Sequence, residues 1–250
     1  MSYGFDLNEW VRPEQVASWA NYLNQHSGWP LMLSARETRD GRSFSSPEVL
    51  PVASNDDGPV YGNFDGQLGL FEWARLRLNQ TPTRPAIFEQ RFSYLRHNFW
   101  DMDKTRRAFW QFTLAGGIGS MWGHYPPDCA AYVAGEYPNP EQLRTHRRFW
   151  RDRFLLDMHP ANDLSRDDTT LVLQASDSHA VFYREDAESI HLDLSAMDSR
   201  QPAVALDATK EYAEIDLGTL DPTEQTWRAP YRSDWAIAVG TFPTGTGHHD

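Results

Sequence analysis

Two glutamates stand at the ends of short apolar runs. Glu9 follows Phe5-Asp6-Leu7-Asn8, and Glu89 follows Ala86-Ile87-Phe88. If both runs are strands of one parallel sheet, their carboxyl ends share the rim where such folds bind ligands. A pair of carboxylates across a rim suits the hydrolysis of a glycosidic bond. One carboxylic acid protonates the leaving oxygen, and the other attacks the anomeric carbon or activates a water. Each glutamate taken alone is equally a solvated or ion-paired loop carboxylate, so the neighbours carry the argument. Asn8 is of the right type to hydrogen-bond a sugar hydroxyl, and Asp6 and Trp10 flank the same position. Arg91 or Tyr94 beside Glu89 would hold it ionised, as a nucleophile requires. Arg36 ends a further run on the same rim. Trp122-Gly123-His124-Tyr125 follows another and offers a stacking floor for a sugar ring, with Trp122 and His124 as its candidate contacts.

The elements that must hold these residues alternate. Ser2–Leu7, Pro30–Ala35, Val49–Ala53, Ala86–Phe88 and Ile118–Trp122 read as strands. Helical spacing is seen after Pro13 (Val16, Trp19, Ala20, Leu23), over Phe64–Leu78, over Asp103–Leu114 and over Pro140–Phe154. Strand–helix alternation implies parallel strands with helical crossovers. Beyond Leu155 the pattern changes to short runs separated by turns: Thr170–Ala175, Ala180–Tyr183, Ser189–Leu194, Ala203–Asp207, Ala213–Leu217 and Trp235–Thr241. That reads as a small antiparallel β-sandwich of six to eight strands. Charge divides the chain at the same place: residues 155–250 hold 6 basic and 18 acidic side chains, whereas residues 1–154 balance. The expected organisation is therefore an α/β part over 1–155 and an all-β part over 156–250. Five βα units cannot close an eight-stranded barrel, which typically needs about 250 residues for itself.

This arrangement resembles the clan A (β/α)₈ glycoside hydrolases. Asn8-Glu9 and Glu89 match the ends of strands four and seven of that barrel. The resemblance implies that Glu9 is the acid/base and Glu89 the nucleophile of a retaining mechanism. It is most similar to the apiosidase-like barrel family, through Thr105-Arg106-Arg107-Ala108-Phe109-Trp110, Leu114-Ala115-Gly116-Gly117 and Trp122-Gly123-His124. In that family the barrel is commonly followed by a small β-sandwich of the type named for collagen binding, the position that residues 156–250 would occupy. The family also places an aspartate near strand four, so Asp6 competes with Glu9 for the acid/base role. Barrel units one to three have no counterpart here. The expectation is the C-terminal portion of a TIM barrel followed by an accessory sandwich, with an open barrel edge able to self-associate.

Composition bounds the alternatives. The chain has 250 residues and a net charge of −12, which disfavours nucleic acid and anionic membrane surfaces as partners. No apolar run is long enough to span a bilayer, and the first residues lack the basic and apolar regions of a signal peptide. The expected location is cytoplasmic as the chain stands, or secreted if a leader precedes it. One cysteine, Cys129, excludes an internal disulfide and any cysteine-based zinc site. No cofactor is expected: Gly116-Gly117-Ile118-Gly119 follows a helix instead of opening one, which suits a helix-to-strand turn better than a phosphate loop. Asn55-Asp56-Asp57-Gly58 reads as a turn, and His248-His249-Asp250 as a tail, so no metal is expected either. The alternative to an enzyme is a carbohydrate-binding or interaction fragment without turnover.

Overall fold

In the computed structural model, the described residues are 102–125, 140–155 and 157–242. Three further strands and single helical positions between 15 and 79 complete them. They fall into two compact units, Met1–Phe99 with Gly117–Ala130, and Trp100–Gly116 with Ala131–Asp250.

The first unit contains a four-stranded parallel sheet. Its strands are β1 (Leu33–Arg36), β2 (Val49–Ala53), β3 (Ile87–Ser93) and β4 (Ile118–Tyr125), in the order β1-β2-β3-β4. All three pairings are parallel, as the alternation of strands and helices required. Phe71 and Ala74 lie on a helix and are buried, in keeping with the apolar face read for Phe64–Leu78. One helical reading is corrected. Trp19 is 44 % exposed and shares a solvent-facing stripe with Gln15, Ser18, Tyr22, Gln25 and His26. Its ring is not part of an apolar face turned inward.

The second unit joins two helices to a six-stranded antiparallel sheet. Helix α1 (Met102–Leu114) ends at Gly116, whose φ of +93° suits glycine and turns the chain into β4. Helix α2 (Pro140–Trp150) has Pro140 at its start, Glu141 in the first turn and Arg147 and Arg148 in the last, each favourable for the helix dipole. Its buried stripe is Gln142, Thr145, Phe149 and Trp150. The sheet comprises β5 (His159–Pro160), β6 (Leu171–Ala175), β7 (His179–Asp193), β8 (Gln201–Asp207), β9 (Glu214–Leu220) and β10 (Glu224–Val239), in the order β5-β6-β7-β10-β8-β9.

Two expected strands, Ala180–Tyr183 and Ser189–Leu194, are one long strand, and β10 begins eleven residues before Trp235. Pro230 lies within this extension. It falls between Arg228 and Ser233, where the β7–β10 ladder shifts register and residue 230 has no ladder partner, so its missing N–H costs nothing there. Opposite, Asp186 bulges with φ +49°, and its N–H is satisfied by Asp234 Oδ1 at 2.9 Å.

The central strands are buried on both faces. Val172, Phe182, Trp235 and Ile237 face a core completed by Ile190 and Leu192 from the far end of β7, with Trp227 packed against it. Tyr183, from the opposite face, stacks on Trp110 of α1 with ring centroids 5.0 Å apart and planes at 4°. Two-sided burial explains why Leu171–Leu173 and Trp235–Val239 are unbroken apolar runs without alternation.

Candidate active site

The rim of the parallel sheet can be read from its register. Arg36 pairs with Val52, Val52 with Ile87, and Ile87 with Ile118, which places these four in one row. The β2–β3 ladder closes at Ala53↔Phe88. Glu89 is the next residue, the first of β3 beyond the reach of β2, and it pairs with Ser120. The sheet steps at this point. Arg91 is two positions on, on the same face as Glu89, and pairs with Trp122. After Arg91 the register shifts, and Phe92 pairs with His124, leaving Gly123 as the additional residue of β4. Bulges of this kind re-aim the chain at sheet rims and beside active sites.

Two positional expectations need correction. Glu89 does not end its strand: β3 continues through Gln90-Arg91-Phe92-Ser93. Trp122 likewise does not end its strand, and His124 lies within β4 and does not follow it. Both strands run on because they pair with each other past the row where β2 leaves, so polar residues that look like loop belong to a ladder. Arg36 is the last residue of β1, as read. Glu9, Asp6, Asn8, Trp10 and Tyr94 lie outside the described residues, as do Asn55, Cys129 and His248. The structure thus brings Glu89, Arg91, Trp122 and His124 into nearby register positions on neighbouring strands, with Arg36 two strands away and two rows below Glu89.

A second polar assembly had no counterpart in the sequence reading. Asp234 is 2 % exposed at its side chain and accepts from Arg106 Nη2 at 2.7 Å and from Arg107 Nε and Nη2 at 2.9 Å each. Burial alone would raise the Asp234 pKa, but the Arg107 hydrogen bond and the Arg106 charge outweigh it, and the net direction is down. Glu185 is adjacent. Burial pushes its pKa up to about 7, against the pull of a hydrogen bond from Gln111 Nε2 at 2.9 Å and the charge of Arg107. Below it, His146 is set among Phe109, Trp110 and Trp150, and burial lowers its pKa to about 3 despite a hydrogen bond with the backbone of Phe109. Thr145 Oγ1 donates to Lys210 O at 2.7 Å and Gln142 Nε2 to Thr209 O at 2.8 Å. These bonds fasten both helices to the antiparallel sheet. Their partners are up to 128 residues apart, so no local motif announces them. Among the described residues, no three metal-ligating side chains converge.

Solved structures similar to this chain include glycoside hydrolases. A glycoside hydrolase family 5 protein from Bacteroides vulgatus matches with a TM-score of 0.66 at 11 % identity, over 93 % of this chain and 67 % of its own. The fold is shared with glycoside hydrolases. A second glycoside hydrolase matches with a TM-score of 0.58 at 14 % identity, covering 89 % of this chain and 55 % of its own. A GH30 endoxylanase from Clostridium papyrosolvens follows at 0.50 and 10 % identity, over 92 % of this chain and 72 % of its own. The chain therefore spans between just over half and about seven-tenths of these proteins' lengths. No protein-family model matches the sequence, and no curated protein sequence matches it. No helix among the described residues is long and apolar enough to cross a membrane.

Proposed function

We propose that this chain is a retaining glycoside hydrolase acting on a poly- or oligosaccharide, with Glu89 as nucleophile and Glu9 as acid/base. Asp6 is the competing acid/base. The observation that carries the reading is the register position of Glu89, on the step of a parallel sheet shared with glycoside hydrolases, in line with Arg91 and next to the Trp122–His124 strand. In the first displacement a Glu89 oxygen bonds the anomeric carbon as the glycosidic bond breaks, and the leaving oxygen takes the proton of Glu9. In the second, Glu9 removes a proton from water, the water oxygen bonds the anomeric carbon, and Glu89 departs as a carboxylate. Arg91 keeps Glu89 ionised. Trp10, Trp122, His124, Asn8, Arg36 and Tyr94 bind the sugar. In this reading residues 1–155 are the C-terminal portion of a clan A barrel of apiosidase-like type, and 156–250 an accessory β-sandwich. The edges of the parallel sheet would then be sites of self-association.

Glu89→Gln tests this. The variant should lose reducing-sugar release by on the order of 10⁴-fold with its fold intact. A 2-deoxy-2-fluoro glycoside with a good leaving group should add one glycosyl mass to the peptide holding Glu89. Undiminished turnover in the variant would overturn the assignment. A second reading is sugar binding without hydrolysis. It predicts affinity for oligosaccharides that the wild-type chain leaves uncut.

A further inference from the structure

At the end of α2, a groove of about 240 Å³ is lined by Arg148, Asp152, Arg153, Tyr212, Phe242 and the start of β8 up to Val204. It is smaller than the roughly 300–1,000 Å³ of drug-sized sites, and suits a single ring. Its walls are held from outside. Arg153 pairs with Glu214 at 2.8 Å and donates to Phe149 O at 3.0 Å, while Tyr212 donates its hydroxyl to the same Glu214. Arg148 lies over the Tyr212 ring, 4.3 Å from its centroid. Stacking fixes the guanidinium plane and leaves its N–H edges open. Neither Arg148 nor Asp152 is in an ion pair among the described residues, and both are exposed. Arg144 and Arg147 extend the positive stripe along the helix at intervals of three and four. That stripe is set in a chain of net charge −12.

We propose that this groove binds a sugar acid, a uronate residue of an acidic glycan, separately from the Glu89 rim. The choice of a glycan rests on the glycosidase reading; the rest follows from the groove. Arg148 is positioned to take the carboxylate through its paired N–H donors, as guanidinium groups do. Phe242 supplies the apolar wall for a ring face. Asp152, in the same wall, disfavours a doubly charged anion more than a singly charged carboxylate, and it accepts a hydrogen bond from a ring hydroxyl. A ligand with one carboxylate and several hydroxyls per ring matches both side chains.

Calorimetric titration of the full chain with trigalacturonate, xylotriose and inorganic sulfate tests the assignment. Trigalacturonate should bind at least tenfold more tightly than either other ligand, and more weakly as salt rises. Arg148→Ala should weaken it tenfold or more, while Arg144→Ala, whose partner is Glu141 at 3.2 Å, should change it less than twofold. Asp152→Ala should weaken trigalacturonate and strengthen sulfate. Binding that Asp152→Ala strengthens for both ligands, or that Arg144→Ala weakens as much as Arg148→Ala, would reduce the groove to diffuse charge and overturn the proposal. So would no binding at all. Tight trigalacturonate binding that survives Arg148→Ala but is lost in Glu89→Gln would place the ligand at the rim and overturn the groove assignment while leaving the catalytic reading standing.

Discussion

Replacing Asp234 by alanine removes the common acceptor of two guanidinium groups and one backbone N–H. The two arginines are not equally exposed to the loss. Arg107 is 26 % exposed and retains Glu185 at 3.4 Å and Asp186 at 3.2 Å, so water and neighbours take up its charge. Arg106 is 2 % exposed and retains Asp103 and Gln142 through Nη1, while its Nε and Nη2 donors are left bare. Breaking a buried pair from one side costs about 3–5 kcal/mol, and the partial compensation points to about 3 kcal/mol here. Because the chain has two compact units, a single global melt would blur this value. Hydrogen exchange at the amides of Phe182 and Ile237, both fully buried in the antiparallel sheet, reads it locally. A double variant, Arg106→Met with Asp234→Leu, should recover most of the loss. The acid limb should shrink as well. A carboxylate held below its ordinary pKa stabilises the fold above the unfolded value, and that stability is lost as pH falls through the folded one. A cost under about 1 kcal/mol for Asp234→Ala, or strict additivity in the double variant, would refute the coupling.

Glu185 carries the opposite sign. With its folded pKa raised to about 7 from 4.5, its contribution is fully present below pH 4.5 and lost as pH rises to 7, up to about 3 kcal/mol. Glu185→Gln should therefore gain on the wild type across that window, as measured by hydrogen exchange at the same two amides at pH 4.5, 6 and 8 after correction for the intrinsic rate; parallel profiles would contradict the burial argument. Gly240 has φ +118°, and a Cβ there would lie 2.3 Å from Ser178 O. Gly240→Ala should cost about 3 kcal/mol or more and lower exchange protection first at the β8–β10 end of the sheet. An unchanged variant would mean that the 176–179 turn yields freely.

The elements that were legible in the sequence were those whose burial repeats locally. Asp103–Leu114 and the strand cores at Val49–Ala53 and Leu171–Ala175 were read almost residue for residue, because each is a short apolar pattern bounded by polar residues or glycine. Illegible were the places where long-range pairing overrides local character. The exposed first half of β10 lay in a stretch read as turn-forming, and Gln90-Arg91 lay past the run read as a strand although β4 pairs with it. Asp234 gave only a faint signal, a single carboxylate against the apolar run Trp235–Val239; its partners are on a helix more than a hundred residues earlier. Of the candidate site, Glu89 and Trp122 were read at the end of a strand and His124 past one, whereas β3 and β4 pair with each other and run on to Ser93 and Tyr125.

The path of the chain between the two units bears on how such a protein could be taken apart or passed on. It crosses from one to the other three times, after residues 99, 116 and 130. A gene segment starting at the change in composition near residue 155 would encode the sheet without α1 and α2. Tyr183 would then face water where Trp110 had stacked, and Asp234 would lose both arginines. The antiparallel sheet is therefore not a freely transferable cassette. Any recombination that moved it intact would have to carry the two helices as well, together with β4, which is encoded between them.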